Sequence, residues 1–455
     1  MNHSGRYLFI VYTFVLIIYI ANIFLEIRLL DDFLNISAVI LLIISFPGAP
    51  RLFKILGTGF MAVGFYFHFS VGGTLWEIPS LLTDNYSLLG LLLMLPWMKS
   101  VVESGRFDRH IARILERKAG DLGMLYPRSL FTSVLLTSFL NLSAAPITQG
   151  VLRKNLKDMS QRVRNSFISK ASLRGTSIAL VWSPLEVLIA LTIFITGAAY
   201  VELLPWLLLT ALLMFITDAV WNRFAWRKYK LNTEHMLELS GKEMRIIAGK
   251  MMHMLTALSL FLAAVIILGN ITGLDFILTV TLVIFPFALL WSFWLKRHRR
   301  FLILGWHTWK EKTNKMQNFF VLFISLSFFA NTLAETDLLE LLRTPINTFA
   351  DYPLIIFMII QGSFIFMSLF GVHPIATIGI LSGVTPVILE IISPMSFSIL
   401  LITSSIATLT VNTYGLFVQM TAINTGENPY RITWNNLPFA AVYCLIGMGV
   451  AYLLL

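Results

Sequence analysis

Polar residues divide this chain into long apolar runs. Stretches at 6–27, 33–49, 53–73, 84–102, 200–221, 251–268, 274–295, 318–334 and 436–454 carry few charges, and about twenty apolar residues in a helix cross the ~30 Å hydrocarbon core of a bilayer. Each predicts a continuous membrane-spanning helix. Four further regions, 128–152, 172–198, 353–384 and 395–425, are apolar but interrupted by Pro, Gly, Ser, Thr and Asn. No straight helix is predicted through these four.

Composition agrees with the pattern. Of 455 residues, 57% are apolar and 13% charged, against roughly 45–50% and 25% in soluble proteins, and the mean hydropathy is +0.78. That excess is too large for an aqueous globule, so the predicted fold class is an all-α polytopic membrane protein. The usual ~150 residues per domain applies to aqueous cores; one intramembrane body is expected. Cys444 is the lone cysteine, which excludes an internal disulfide and a cysteine metal site. Run 6–27 is too long for a signal-peptide core and lacks a small-residue cleavage pattern after it, so it reads as a retained span.

The formal charge is +10, and in a membrane protein Lys and Arg report orientation. Suppose 128–152 and 353–384 are re-entrant hairpins and 172–198 and 395–425 cross as broken helices. Eleven crossings result, and with a cytoplasmic amino terminus the basic segments 99–128, 153–174, 222–250 and 296–317 all lie inside. Only Arg28 and Arg343 of the 34 basic residues lie outside, with Asp31, Asp32, Glu77, Asp84, Glu335, Asp337, Glu340 and Asp351. The expected location is the cytoplasmic membrane, with the carboxyl terminus outside.

The plan is doubled. Ala145-Pro146-Ile147 recurs as His373-Pro374-Ile375, and Ser177-Ile178-Ala179 as Ser405-Ile406-Ala407, both 228 residues on. Each half runs as three spans, a connector (103–127 and 335–352), a hairpin, a broken helix and a final span. The predicted organisation is an extra helix (1–32), a first repeat (33–221), a basic linker (222–250) and a second repeat (251–455). Five crossings per repeat is odd, so the copies are inverted; inverted repeats with discontinuous helices at matching positions point to a secondary transporter with a midplane site.

Broken membrane helices leave backbone groups unpaired unless something satisfies them. Pro146 and Pro374 suit the first position of a new half-helix, with the preceding small or polar residues as caps, and two inward helix amino termini form an anion-binding arrangement. Asn141, Ser143, Thr148, Ser183, His373, Thr377, Asn412 and Thr413 are the substrate-binding candidates. Glu186, near mid-membrane, should be paired, hydrated, cation-bound or protonated; with Ser177, Gly371, Thr408 and Thr410 it makes the candidate coupling-ion set. Asp218 is expected to face water or pair with Arg223. With no Lys or Arg inside a broken-helix core, backbone N–H groups would supply the anion stabilisation. No phosphate loop, zinc-spaced cluster or nucleophile with a base is evident, so neither an enzyme nor a cofactor is expected, apart from Na⁺ if Na⁺ rather than H⁺ drives the carrier. The basic segment 296–300 before Trp306 and Trp309 reads as an interfacial helix on anionic lipid, not as a nucleic-acid site.

This order of elements resembles the ion transporter superfamily, most closely its divalent-anion:sodium symporter branch, over nearly the whole chain. That family carries a Ser-Asn-Thr motif at the hairpin tips; the corresponding positions here read Asn141-Leu142-Ser143-Ala144 and Gly371-Val372-His373-Pro374. The resemblance implies a homodimer and an elevator mechanism, with the two connectors as arms. The function expected is secondary transport of a small organic, carboxylate-type anion coupled to Na⁺ or H⁺. Two other readings are cation/proton antiport through Glu186 and a non-transport role in envelope assembly on lipid-linked intermediates.

Overall fold

The computed structural model describes residues 7–231, 240–336 and 348–455. Asp337, Glu340, Arg343, most of the connector 335–352 and part of the linker 222–250 lie outside the described residues. The first helices are α1 (Leu8–Leu25), α2 (Arg28–Ser45), α3 (Arg51–Ser70), α4 (Tyr86–Ser104), α5 (Phe107–Ala112), α6 (Leu122–Leu140) and α7 (Ala144–Asn155). Then come α8 (Gln161–Leu180), α9 (Val187–Thr196), α10 (Tyr200–Trp226), α11 (Gly241–Thr272), α12 (Phe276–Trp294), α13 (His298–Thr313) and α14 (Gln317–Ala334). The last are α15 (Pro353–Leu369), α16 (Pro374–Ser382), α17 (Thr385–Ile388), α18 (Pro394–Thr408), α19 (Leu416–Thr425) and α20 (Pro429–Tyr452). Among the described residues, eight helices are long and apolar enough to cross a membrane: α1–α4, α10–α12 and α14. The chain is an all-α, multi-pass membrane protein.

Helices α10 and α11 extend into the linker from either side. The chain clusters into two compact units, not the single body expected. Unit 1 holds α1–α3, most of α4, α12–α14 and α17; unit 2 holds α5–α10, most of α11, α15 and α18–α20; the divisions fall within α4 after Val101, within α11 after Leu268 and within α16 after Ile378.

In unit 1, α3 approaches α14 closely because glycines face it. A Cβ on Gly57 would stand 2.6 Å from the Val321 side chain, and one on Gly64 would stand 2.6 Å from the Phe328 ring. Tyr12 stacks on Phe320 at 3.9 Å, and its hydroxyl bonds Ser45 Oγ at 2.8 Å. The outward face of α1 presents Ile10, Phe14 and Ile17, a helical stripe suited to lipid.

Unit 2 contains both interruptions. Helix α6 ends at Leu140, a short 3₁₀ turn covers Asn141–Ser143, and α7 follows. At the far end of α7, Asn155 Nδ2 donates to Leu115 O at 2.8 Å, and Leu115 precedes α6. The chain therefore returns to where it entered, as a hairpin must. Helix α8 runs beside α6: Thr137 and Thr176 hydroxyls bond at 3.2 Å, and Gly175 has no room for a Cβ, which would meet Ser133 Cβ at 2.5 Å.

The second interruption repeats this. Ser368 Oγ, at the end of α15, donates to Thr408 O at the end of α18 (3.2 Å), while Ser393 Oγ, just before α18, donates to Leu454 O (2.6 Å). Between Ser368 and Ser393 the chain thus travels back along the length of α18, about 22 Å at 1.5 Å per residue. Midway along α15, Gln361 Nε2 donates to Cys444 O at 2.8 Å.

The broken helices lie antiparallel. Thr196 at the end of α9 bonds Ser398 near the start of α18 at 2.7 Å. Arg153 Nη1 donates to Asn424 O at the end of α19 at 3.0 Å, and Asn165 Nδ2 to Glu427 Oε2 at 3.5 Å. Both second halves stop at a left-handed glycine, Gly197 (φ 70°) after α9 and Gly426 (φ 71°) after α19. Each is preceded by a threonine whose Oγ1 donates four residues back, Thr196 to Thr192 O and Thr425 to Thr421 O. This second register is 229 residues, one more than that of the hairpins.

Candidate functional site

The two breaks meet inside unit 2. Ser177 Oγ donates to Ile406 O at 3.2 Å, and Tyr443 OH donates to Ser177 O at 3.4 Å. The chain is unwound over 181–186 and 409–415 just beyond these contacts.

At the first break, Glu186 is buried and caps α9: Oε1 accepts from Leu188 N at 3.5 Å and Oε2 from Asn141 Nδ2 at 3.2 Å. No ion pair to this carboxylate occurs among the described residues. Asn141 itself holds a positive φ of 45° with ψ −127°. Ser183 is buried in the same unwound segment, where its Oγ accepts from Leu185 N at 3.4 Å.

At the second break, Gly371 has φ 85°, and a Cβ there would stand 2.8 Å from the Tyr414 ring. Asn412 Nδ2 donates to Val372 O at 3.0 Å; its Oδ1 is buried without a hydrogen-bond partner. His373 is half-buried, its Nδ1 accepting from Ile375 N at 3.2 Å. In a neutral imidazole the proton then sits on Nε2.

The remaining candidates are engaged locally. Thr148, Thr408 and Thr410 donate to Ala144 O, Ser405 O and Ala407 O of their own segments, leaving only oxygen lone pairs for a cation. Thr413 bonds Thr433 Oγ1 at 2.9 Å, Thr377 is buried in α16, and Ser143 makes no side-chain cap.

Two expectations about the hairpin tips change. Helix α7 begins at Ala144, so Pro146 is its third residue, still within the first turn where its missing N–H costs nothing. The tip N–H groups are also partly used: Ala144 N–H donates to Asn141 O, and Ala376 N–H to His373 O at 2.8 Å. Neither α7 nor α19 has a side-chain cap at its amino terminus. At α19 Gly415 occupies the cap position, equivalent by the 229-residue register to Glu186.

The sequence reading also missed a buried charge. Arg174 lies within the first broken region, on α8, and is buried; Asp218 pairs with it rather than with Arg223. Arg174 Nη1 donates to Asp218 Oδ1 at 2.6 Å, Nε to Asn436 Oδ1 at 3.0 Å and Nη2 to Asn435 O at 2.9 Å. Tyr126 OH donates to Asp218 Oδ2 at 2.7 Å, and Asn222 Nδ2 to Oδ1 at 2.9 Å. Three of the five guanidinium N–H groups of Arg174 are thus spent on Asp218, Asn436 and Asn435. The available signal was one Arg three residues before Ser177 and one Asp in a neighbouring span, since an ionisable residue at membrane depth needs a partner.

No protein-family model matches the chain, and no curated protein matches it. Solved structures do. The YdaH transporter of Alcanivorax borkumensis, a crystal structure with an unusual topology, aligns over 92% of this chain and 97% of its own, with a TM-score of 0.57 and 14% identity. At that identity the likeness is one of fold: this chain has the fold of an all-α polytopic membrane transporter.

Proposed function

We propose that the protein is a secondary active transporter of a small organic anion, of carboxylate type, coupled to Na⁺ or H⁺. One observation carries this reading. The two broken helices are related by an internal repeat, yet at equivalent positions one has a carboxylate on its half-helix amino terminus (Glu186 on α9) and the other has none (Gly415 at α19). A helix amino terminus favours a negative charge, so a substrate carboxylate would take at α19 the place that Glu186 takes at α9. The unpaired Asn412 Oδ1 beside it would accept from substrate or meet a cation. As in the divalent-anion:sodium symporter branch that the element order resembles, the carrier would work as a homodimer by an elevator movement.

The reading is tested by thermal stabilisation of the purified chain over a panel of carboxylates and inorganic oxyanions, with and without Na⁺. A ligand at 100 times its Kd adds about 2.7 kcal/mol, so a binding carboxylate is expected to raise the melting temperature. No shift with any anion would reject the proposal.

A second reading, cation/proton antiport, is favoured by the burial of Glu186 with only Asn141 and backbone N–H groups as partners. It predicts that Glu186→Gln abolishes pH-dependent cation exchange in vesicles; unchanged exchange would reject it.

A further inference from the structure

Helix α13 connects the end of α12 to the start of α14, both membrane-crossing helices of unit 1. It has 16 residues and includes Arg299, Arg300, Lys310 and Lys312, so it runs along the membrane surface rather than through the bilayer. One face is fixed to the protein: Phe301, Gly305, Trp309 and Thr313 are buried. A Cβ on Gly305 would stand 2.4 Å from the Trp97 ring, Trp309 meets Phe9 edge-on at 5.8 Å, and Asn314 Oδ1 accepts from Phe9 N at 2.9 Å. Trp309, which the sequence suggested for the lipid interface, is therefore a packing residue.

The flank beside that buried face is exposed: Ile303 is 75% exposed and Trp306 55%, with the Trp306 ring 5.2 Å from that of Trp309 and Lys310 Nζ 4.9 Å from the Phe9 ring. At 100° per residue Arg299, Ile303, Trp306 and Lys310 fall in one sector, so the apolar stripe has a cation at each end. Arg51 and Lys54 open α3 on the same rim, because the turn before them packs on the start of α14: a Cβ on Gly48 would stand 3.0 Å from Gln317 Cγ. The acid near the end of α13, Glu311, is paired with Lys315 at 2.7 Å. Apolar side chains at the membrane surface flanked by long cationic ones, whose stems snorkel to the headgroups, complement an anionic leaflet.

We infer that the exposed face of α13 is a docking surface for anionic phospholipid, with Ile303 and Trp306 at the acyl boundary and Arg299, Arg300 and Lys310 on the headgroup phosphates. The test uses the full chain carrying Ile303→Cys labelled with an environment-sensitive fluorophore, reconstituted in phosphatidylcholine vesicles containing equal mole fractions of brominated phosphatidylglycerol or brominated phosphatidylcholine. Brominated phosphatidylglycerol is expected to quench the label several-fold more strongly. That difference should vanish in the Arg299→Gln/Arg300→Gln/Lys310→Gln variant and shrink at high ionic strength in the unaltered chain, a comparison that does not depend on the variant folding. Equal quenching by the two lipids, no quenching by either, or a preference indifferent to salt would overturn the inference.

Discussion

The Ser177 hydroxyl donates to the Ile406 carbonyl oxygen at 3.2 Å, joining the end of α8 to the end of α18 just before each helix breaks. Residues 229 apart in the chain thus sit at the junction of two inverted segments, with Glu186 beyond one end and Gly415 beyond the other.

Placing a carboxylate at Gly415 should fill the open amino terminus of α19. Gly415→Asp and Gly415→Asn meet the same obstacle, since any Cβ there stands 2.8 Å from Asn412 Cγ; they differ in charge. Asp is expected to abolish anion-dependent thermal stabilisation while Asn retains part of it. Equal loss in both would show that shape, not charge, governs the site.

The Arg174–Asp218 pair should behave as a unit. Removing one partner of a buried pair leaves an uncompensated charge and costs roughly 3–5 kcal/mol, whereas replacing both with apolar residues is often neutral. Arg174→Met and Asp218→Leu are each expected to lower stability by about that amount and the double variant by much less. Denaturation of all three in detergent closes the cycle, and additive losses would contradict it.

Gly371→Ala should be costly for two separate reasons. A φ of 85° costs an L-residue roughly 1–2 kcal/mol, and the new methyl would press on the Tyr414 ring. Adding Tyr414→Ala should relieve the second cost but not the first. Full rescue by Tyr414→Ala would show that the backbone carries no strain.

Outside the bilayer, in the turn after α3, Thr74 N–H donates to Glu77 Oε2 at 2.8 Å and holds the Glu77 carboxyl below its usual range. A depressed folded value means the turn is stabilised above the ordinary carboxylate pKa of about 4.3 and loses this as pH falls through the lowered value. Hydrogen exchange at the Thr74 amide should therefore be more protected at neutral than at acid pH relative to Glu77→Gln. Protection independent of pH would contradict this.

The interruptions were legible because backbone breaks favour particular residues: Gly at φ 85° in 371, Pro at 146 and 374. Exact starts were less so. A 3₁₀ turn continued into α7 and moved Pro146 to the third position, a choice between hydrogen-bond patterns that residue identity does not fix. The Thr192-to-Gly197 segment and its copy Thr421-to-Gly426 were in the sequence as Thr-x-x-x-Thr-Gly but carry little weight in apolar stretches. Arg174 and Asp218 illustrate what a linear reading misses, since the pairing joins residues 44 apart on different helices. Local patterning says only that each needs a partner. The engagement of Thr148, Thr408 and Thr410 with their own carbonyls is likewise decided by rotamer, not by residue type.

Alternating access follows from the proposed function: the paired breaks would form a site opened in turn to the two sides of the membrane. Its most direct test is labelling of single cysteines at positions 144 and 372, in reconstituted full-length protein, with a membrane-impermeant thiol reagent applied from each side with and without Na⁺ and a stabilising carboxylate. Both positions are expected to react from either side, with ion or ligand shifting the balance. Reaction from one fixed side, unchanged by either addition, would contradict it.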